Sequence, residues 1–302
     1  MKRAVPVLVG PTAVGKTAVA LALADLVPLV VVSADSRQVY RGLDIGTAKP
    51  TRDELARVPH LGIDVVEPGE RYSAGRFAAD AARWVTQPDT RQPVVVGGTG
   101  FYVRALADGL FHEPPMDPER RARLRAWIER LDGVASWAMR LDGAFRGGGR
   151  RRAARAVEVA LLSGRSLSWW QEHARADGVI APWYVRLTAP RAVLHERIAA
   201  RVAAMLERGL IDEVRRLLDR GLAPDAPGLD AVGYREVVRH LRGDLPGASL
   251  RDAIAAATRR YAKRQETWFR HQLPGSSTVT LDATAAPADL AALIAGRWHE
   301  RA

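Results

Sequence analysis

The chain has 302 residues, 47% of them hydrophobic, enough to bury a sizeable core in one large domain or two smaller ones. It contains no cysteine, which excludes disulfides and thiolate metal sites, its seven histidines show no metal-binding spacing, and no apolar run approaches the span of a bilayer. The net charge is +11, and of the 45 basic side chains only Lys2, Lys16, Lys49 and Lys263 are lysine, a surplus that suits a polyanionic partner such as nucleic acid.

The first element is the apolar run Val5–Val9, a buried strand by composition, followed at once by Gly10-Pro11-Thr12-Ala13-Val14-Gly15-Lys16-Thr17 and an Ala/Leu-rich helical segment. Strand, glycine loop and helix in that order form a phosphate-binding loop. Backbone N–H groups from Gly10, Thr12, Ala13 and Gly15 converge on phosphate oxygens, Lys16 spans the terminal phosphates, and the Thr17 hydroxyl ligates Mg²⁺. Gly10 and Gly15 are needed because a backbone without Cβ can turn and approach an anion closely.

A second strand, Leu29–Val32, runs into Ser33-Ala34-Asp35-Ser36-Arg37-Gln38. Asp35 thereby stands at the carboxyl end of a parallel strand, the edge from which the phosphate loop also emerges. Three roles fit it: a general base, an aspartate that orients metal, or a helix N-cap, which Ser36 would serve equally. Further strands are expected at Ile63–Val66 and Val94–Val96, the latter ending in Gly97-Gly98-Thr99-Gly100, where Thr99 is a candidate contact for a second phosphate or the acceptor.

The alternation then stops. From Glu113, Pro114-Pro115 leads into a helical pattern over Asp117–Leu131, a Gly147-Gly148-Gly149 break, a helix around Arg151–Leu162, and Trp169-Trp170. Twelve arginines fall between Glu113 and Arg165, including Arg150, Arg151 and Arg152, so this segment reads as a basic helical insertion. The tryptophan pair fits base stacking and, better, hinge packing between insertion and core. Trp183–Leu187 returns the chain to the sheet, helices follow over Pro190–Arg220, Gly233–Leu241 and Leu250–Arg270, and Thr278–Leu281 is a last strand. In the helix to Arg270, Ile254, Tyr261 and Trp268 recur every seven residues as a core stripe, while Lys263 falls on another face; Arg201 by itself reads as a solvated surface arginine.

Five segments together carry a resemblance: Gly10–Thr17, Ser33–Pro50, Gly97–Tyr102, Ala231–Glu236 and Tyr261–Phe269. The chain from about residue 5 to residue 270 resembles the bacterial tRNA dimethylallyltransferases, the tRNA isopentenyltransferase family. The resemblance implies an α/β fold with a P-loop NTPase-like parallel sheet, a catalytic core of residues 1–112 and 181–302, and a tRNA-binding insertion of residues 113–180. It implies transfer of a dimethylallyl group from dimethylallyl diphosphate, with Mg²⁺, to the N6 amine of the adenosine 3′-adjacent to the anticodon. Lys16 and Thr17 would hold diphosphate and metal, Asp35 would act as general base, Thr99 would contact the reacting groups, and Arg201 would neutralise the leaving diphosphate. Ser36, Gln38 and the segment to Lys49 would receive the flipped adenine. The insertion, with Arg150, Arg151 and Arg152, would clamp the anticodon stem-loop, and Lys263 is a further candidate for tRNA phosphates.

Where the family carries an Asn-Asp pair, this chain has Gly148-Gly149 followed by Arg150-Arg151. Whatever helix cap or nucleotide contact that pair supplies is absent or replaced here. Two other functions use the same loop: a nucleotide kinase, and prenyl transfer to a free adenine nucleotide. The basic insertion argues against both, because neither small acceptor needs it. A cytoplasmic monomer is the expected setting.

Overall fold

The computed structural model describes residues 2–87, 90–111, 116–174 and 176–300. Two compact units are present: Met1–Ala107 with Val179–Ala302, and Asp108–Gly178. The expected boundary at 112/113 and the Pro114-Pro115 break lie outside the described residues.

In the larger unit the chain runs β1 (Arg3–Val9), α1 (Lys16–Ala24), β2 (Leu29–Ser33), α2 (Arg52–Arg57), β3 (His60–Leu61), α3 (Ala74–Thr86), β4 (Gln92–Gly97) and α4 (Gly100–Ala107). The smaller unit contributes α5 (Pro118–Arg130), α6 (Val134–Leu141), α7 (Arg150–Ser163) and α8 (Leu167–His173). The chain then returns through β5 (Ile180–Thr188), α9 (Arg191–Glu207), α10 (Leu210–Asp219), α11 (Tyr234–Leu241), α12 (Gly247–Gln272), β6 (Thr278–Asp282) and α13 (Pro287–His299).

The six strands form one sheet in the order β3-β2-β4-β1-β5-β6, every pair parallel. Valine-rich central strands fit this position because both of their faces are covered by helices. On one face α1 and α13 bury Leu21, Leu23, Leu290, Ile294 and Trp298 against Leu8, Val94, Val96 and Val185. On the other, Phe77 of α3 stacks on Tyr102 of α4 with ring centroids 4.4 Å apart. Each such aliphatic or aromatic side chain taken from water stabilises the fold by about 1.5–3 kcal/mol. Register pairs Val9 with Gly97 and Ser33 with Val96, so the phosphate loop, the Asp35 turn and the Gly97-Gly98-Thr99 turn leave the same edge of the sheet at one level. This is a P-loop NTPase-like α/β fold.

Three expected elements differ. The strand expected at Ile63–Val66 lies instead at His60–Leu61, because Gly62 (φ +85°) and Asp64 (φ +54°) turn the chain; Val66 keeps only an isolated bridge to Tyr40. The single helix expected over Pro190–Arg220 breaks into α9 and α10 at Gly209, whose φ of +91° is a left-handed conformation that stops a helix. The stripe Ile254, Tyr261, Trp268 is no plain core stripe: Ile254 is buried, while Tyr261 and Trp268 are half-buried.

In the smaller unit, Asp117 caps α5 with Pro118 in its first turn, and Ser166 caps α8. Ala153, Ala156, Val157 and Leu167 pack with Ile128, Ala138 and Phe145. Glu158 is buried among Arg121, Arg125 and Arg155, which hold its carboxyl below the usual range against the opposing effect of burial. Trp169 and Trp170 find partners here: Trp169 stacks on His173 and under the Arg165 guanidinium, and Trp170 Nε1 donates to Ser163 Oγ.

Candidate functional site

The phosphate loop takes its shape from three left-handed residues, Gly10 (φ +151°), Ala13 (φ +64°) and Gly15 (φ +107°). A Cβ on Gly10 would lie 2.6 Å from the Leu187 carbonyl oxygen, so glycine is required there. Ala13 tolerates its conformation at a cost, as residues at binding sites do. Gly15 is the N-cap of α1 and offers no side-chain cap, which leaves the first-turn N–H groups facing the loop for an anion.

Lys16 Nζ donates to the carbonyls of Gly10 (2.9 Å) and Pro11 (2.8 Å). Burial pushes its pKa down to about 8; Asp35 opposes that shift and Arg201 adds to it. The three charges therefore share one site. Thr17 is exposed one residue further on and lines the same cavity with Thr12, Ala13, Gly15 and Lys16.

Asp35 closes a turn and caps no helix. Its Oδ1 accepts from the backbone N–H of Arg37 (2.8 Å) and Gln38 (3.4 Å), closing the turn after β2. Among the described residues Oδ2 has no hydrogen-bond partner, while Asp35 lines the cavity. Behind it, the Ser36 N–H donates to Thr99 Oγ1 (3.0 Å), Thr99 Oγ1 donates to Ser36 Oγ (3.3 Å), and the Thr99 N–H donates to the Ala34 carbonyl (3.1 Å). Thr99 thus ties the β4 turn to the β2 turn. Gln38 is spent on structure: its Oε1 accepts from Ser33 Oγ and its Nε2 donates to the Thr47 and Ala48 carbonyls.

Arg201 is not the solvated surface residue that its helix suggested. It sits half-buried on α9 beside Asp35, with burial lowering its pKa and Asp35 raising it. One turn earlier, Arg197 donates to the carbonyls of Val14 (3.1 Å) and Ala283 (3.0 Å), fastening the phosphate loop from outside. Two arginines four apart on one helix face repel unless an anion lies near, and that spacing was the available signal.

Helix α12 supplies two further residues that sequence reasoning missed. Gln265, only 6% exposed, accepts from the Thr12 N–H at 2.8 Å and donates to the Gly98 carbonyl at 2.9 Å, bridging the phosphate loop to the β4 turn. One turn earlier, Tyr261 lines the cavity with Gln265, and burial together with nearby Asp35 pushes its pKa up to about 12. Lys263 lies on the exposed side of the helix.

Two cavities meet at this point. One is the phosphate-loop cavity already described; the other, about 240 Å³, has an apolar floor of Val202, Met205, Val232 and Ile254 and a charged mouth of Arg37, Asp230, Arg235 and Arg264. Thr12, Asp35, Thr47, Arg201 and Tyr261 line both. An anion gripped in the first therefore presents its substituent to the second, across a carboxylate and a guanidinium.

In the helical unit, Arg150 donates to the carbonyls of Ile128, Glu129 and Leu131, closing the C-terminal end of α5. Arg151 and Arg152 are exposed on the first turn of α7, whose N-cap Gly149 gives no side-chain cap. Among the described residues no helix is long and apolar enough to cross a membrane.

A family model described as IPP transferase matches residues 38–272. A tRNA dimethylallyltransferase of Syntrophotalea carbinolica is 46% identical over 273 residues, covering 87% of each chain, and one of Burkholderia mallei is 46% identical over 283 residues, covering 89% of this chain and 87% of its own. Among solved structures, a tRNA isopentenylpyrophosphate transferase from Bacillus halodurans superposes with TM-score 0.72 at 35% identity over 99% of this chain and 98% of its own. A eukaryotic dimethylallyltransferase acting on tRNA shares the fold with TM-score 0.79 at 24% identity, over 93% of this chain and 74% of its own.

Proposed function

This chain belongs to the IPP transferase family, and from that premise we propose that it transfers a dimethylallyl group from dimethylallyl diphosphate to the N6 amine of the adenosine 3′-adjacent to the anticodon in tRNA. The observation that carries the reading is the pair of cavities that share Asp35 and Arg201. The diphosphate lies on the phosphate loop against the N–H groups of Ala13 and the start of α1, with Lys16 across it. The second cavity takes the apolar reacting partners, the dimethylallyl group and the face of the adenine, beside the wall formed by Ser36, Gln38 and the segment to Lys49.

The bond that breaks joins C1 of the dimethylallyl group to a diphosphate oxygen, and the bond that forms joins C1 to N6. The amine is a weak nucleophile because its lone pair is delocalised into the ring, so Asp35 accepts its proton through Oδ2 as the new bond grows. The departing diphosphate gathers charge, which Lys16, Arg201 and the loop amides meet in a site organised beforehand. Thr99 holds the Asp35 turn at the junction. A phosphate loop here stabilises a leaving group and moves no phosphate.

The donor set fits Mg²⁺: Thr17 and Asp35 offer oxygens only, and among the described residues no group of three or more His, Asp or Glu forms a cage. Thr17 would hold the ion, which would supply further neutralisation of the departing diphosphate. The basic helical unit, through Arg151 and Arg152, and Lys263 on the core hold RNA phosphates. On the same reading the protein works in the cytoplasm.

Asp35→Asn tests the chemistry. Turnover falls by about 10²–10⁴-fold while dimethylallyl diphosphate binds as before in Mg²⁺. Loss of donor affinity and altered Mg²⁺ dependence alongside turnover would make Asp35 a metal orienter, and near-normal turnover removes it from the mechanism.

A further inference from the structure

Asp44, Ile45 and Gly46 present three consecutive backbone N–H groups, an arrangement that ordinarily cradles an anion. Here the anion is the protein's own Glu213. Its carboxylate, 5% exposed, accepts from Asp44 N at 3.1 Å, Ile45 N at 2.9 Å and Gly46 N at 3.4 Å. The Tyr234 hydroxyl donates to Glu213 Oε1 at 2.6 Å and accepts from Gly46 N at 3.1 Å. Its ring packs so closely on the loop that a Cβ at Gly46 would lie 2.4 Å from Tyr234 Cε2.

Glu213 comes from α10 and Tyr234 from the start of α11, both remote in sequence from the loop they hold. From the opposite side, Gln38 grips the Thr47 and Ala48 carbonyls, and Lys49 Nζ donates to the Tyr40 carbonyl (2.7 Å), to Asp44 Oδ1 (2.7 Å) and to Asp64 Oδ1 (2.5 Å). A buried carboxylate is costly unless donors surround it, so a segment fixed this way is held to a narrow position. That segment is a wall of the site. Gly46 and Thr47 line the apolar cavity, and Thr47 and Ala48 line the phosphate-loop cavity.

We propose that Glu213 and Tyr234 are positioning residues that hold the Asp44–Ala48 wall in register for the acceptor base, acting through the loop without touching the reacting atoms. The assignment rests on the proposed function, in which this wall receives adenine. Glu213→Gln keeps the side chain's size but turns an NH₂ toward backbone donors. Its kcat/KM for tRNA at saturating donor falls about tenfold, while the Kd of dimethylallyl diphosphate stays within about twofold. Glu213→Ala opens the three N–H groups, and acetate added to that variant restores kcat/KM in part, with no such effect on the wild-type protein or on Glu213→Gln.

Equal losses in donor affinity and acceptor kcat/KM, unchanged kcat/KM in a folded variant, or an absence of acetate rescue overturn the proposal. Should the Glu213 variants fail to fold, Tyr234→Phe decides: it removes only the bridging hydroxyl, and unchanged kcat/KM for tRNA with that variant is equally contrary. A wild-type protein that transfers nothing to tRNA refutes the function itself, whereas an active wild type with indifferent variants refutes only the positioning role.

Discussion

Gln265→Glu probes the joint between the phosphate loop and the β4 turn. The substitution keeps the length of the side chain and the oxygen that accepts from Thr12 N at 2.8 Å. It replaces the N–H donor 2.9 Å from the Gly98 carbonyl with an oxygen, so a buried acceptor is stranded and faces another. A stranded buried acceptor costs about 1–3 kcal/mol, and each kcal/mol lowers Tm by roughly 2–4 °C in a chain of this class. The introduced carboxylate also brings negative charge beside the diphosphate, so pyrophosphate affinity falls about tenfold or more at pH 8. Burial raises the introduced carboxyl's pKa, and once protonated it donates to Gly98 O as the amide did. Both defects therefore shrink as pH falls from about 8 to about 5.5. Thermal unfolding and calorimetric titration of pyrophosphate at the two pH values measure this. Unchanged Tm and affinity, or a defect identical at both pH values, would refute the bridging role.

Lys16 titrates near pH 8, where it is charged below and neutral above, so pyrophosphate affinity falls as pH rises from about 7 to 9.5. Because the bound pyrophosphate anion restores its proton, calorimetry in buffers of different ionisation enthalpy shows proton uptake on binding above pH 8; affinity independent of pH contradicts the assignment. Replacing Arg151 and Arg152 with glutamine flattens the salt dependence of tRNA binding by about 1.4–1.8 in log–log slope, whereas Arg150→Gln chiefly lowers thermal stability by about 1 kcal/mol through loss of its three carbonyl contacts. Filter binding across a salt series and thermal unfolding separate the two, and equal effects of both changes on the slope would count against the division.

What was legible in the sequence follows how each residue acts. The phosphate loop could be read because a left-handed backbone needs glycine and a lysine must follow. Asp35 could be read because its place after a valine run puts it at the ligand-binding edge. Tyr261 and Gln265 escaped, since a helix face turned toward a binding site has the same period as one turned toward a core; only a glutamine in an otherwise apolar line hinted at the difference. Glu213 escaped because an acidic residue on an amphipathic helix reads as solvated until its partners, Asp44 to Gly46, are brought to it across the fold. Ile63–Val66 misled because β-branched composition says nothing of the positive φ at Gly62 and Asp64 that ends the extended chain. Arg150, grouped with its neighbours by charge, proved to be a helix-end clamp, which depends on where α5 stops.

The central claim is that the two joined cavities carry prenyl transfer to tRNA. Its most direct test is mass spectrometry of the nucleosides from unmodified tRNA after incubation with the purified protein, dimethylallyl diphosphate and Mg²⁺. The predicted result is a dimethylallyl group on N6 of the adenosine 3′-adjacent to the anticodon, lost when Lys16 is changed to alanine. Unmodified tRNA with an intact donor, or transfer of the γ-phosphate of ATP to a nucleotide by the same preparation, would contradict it.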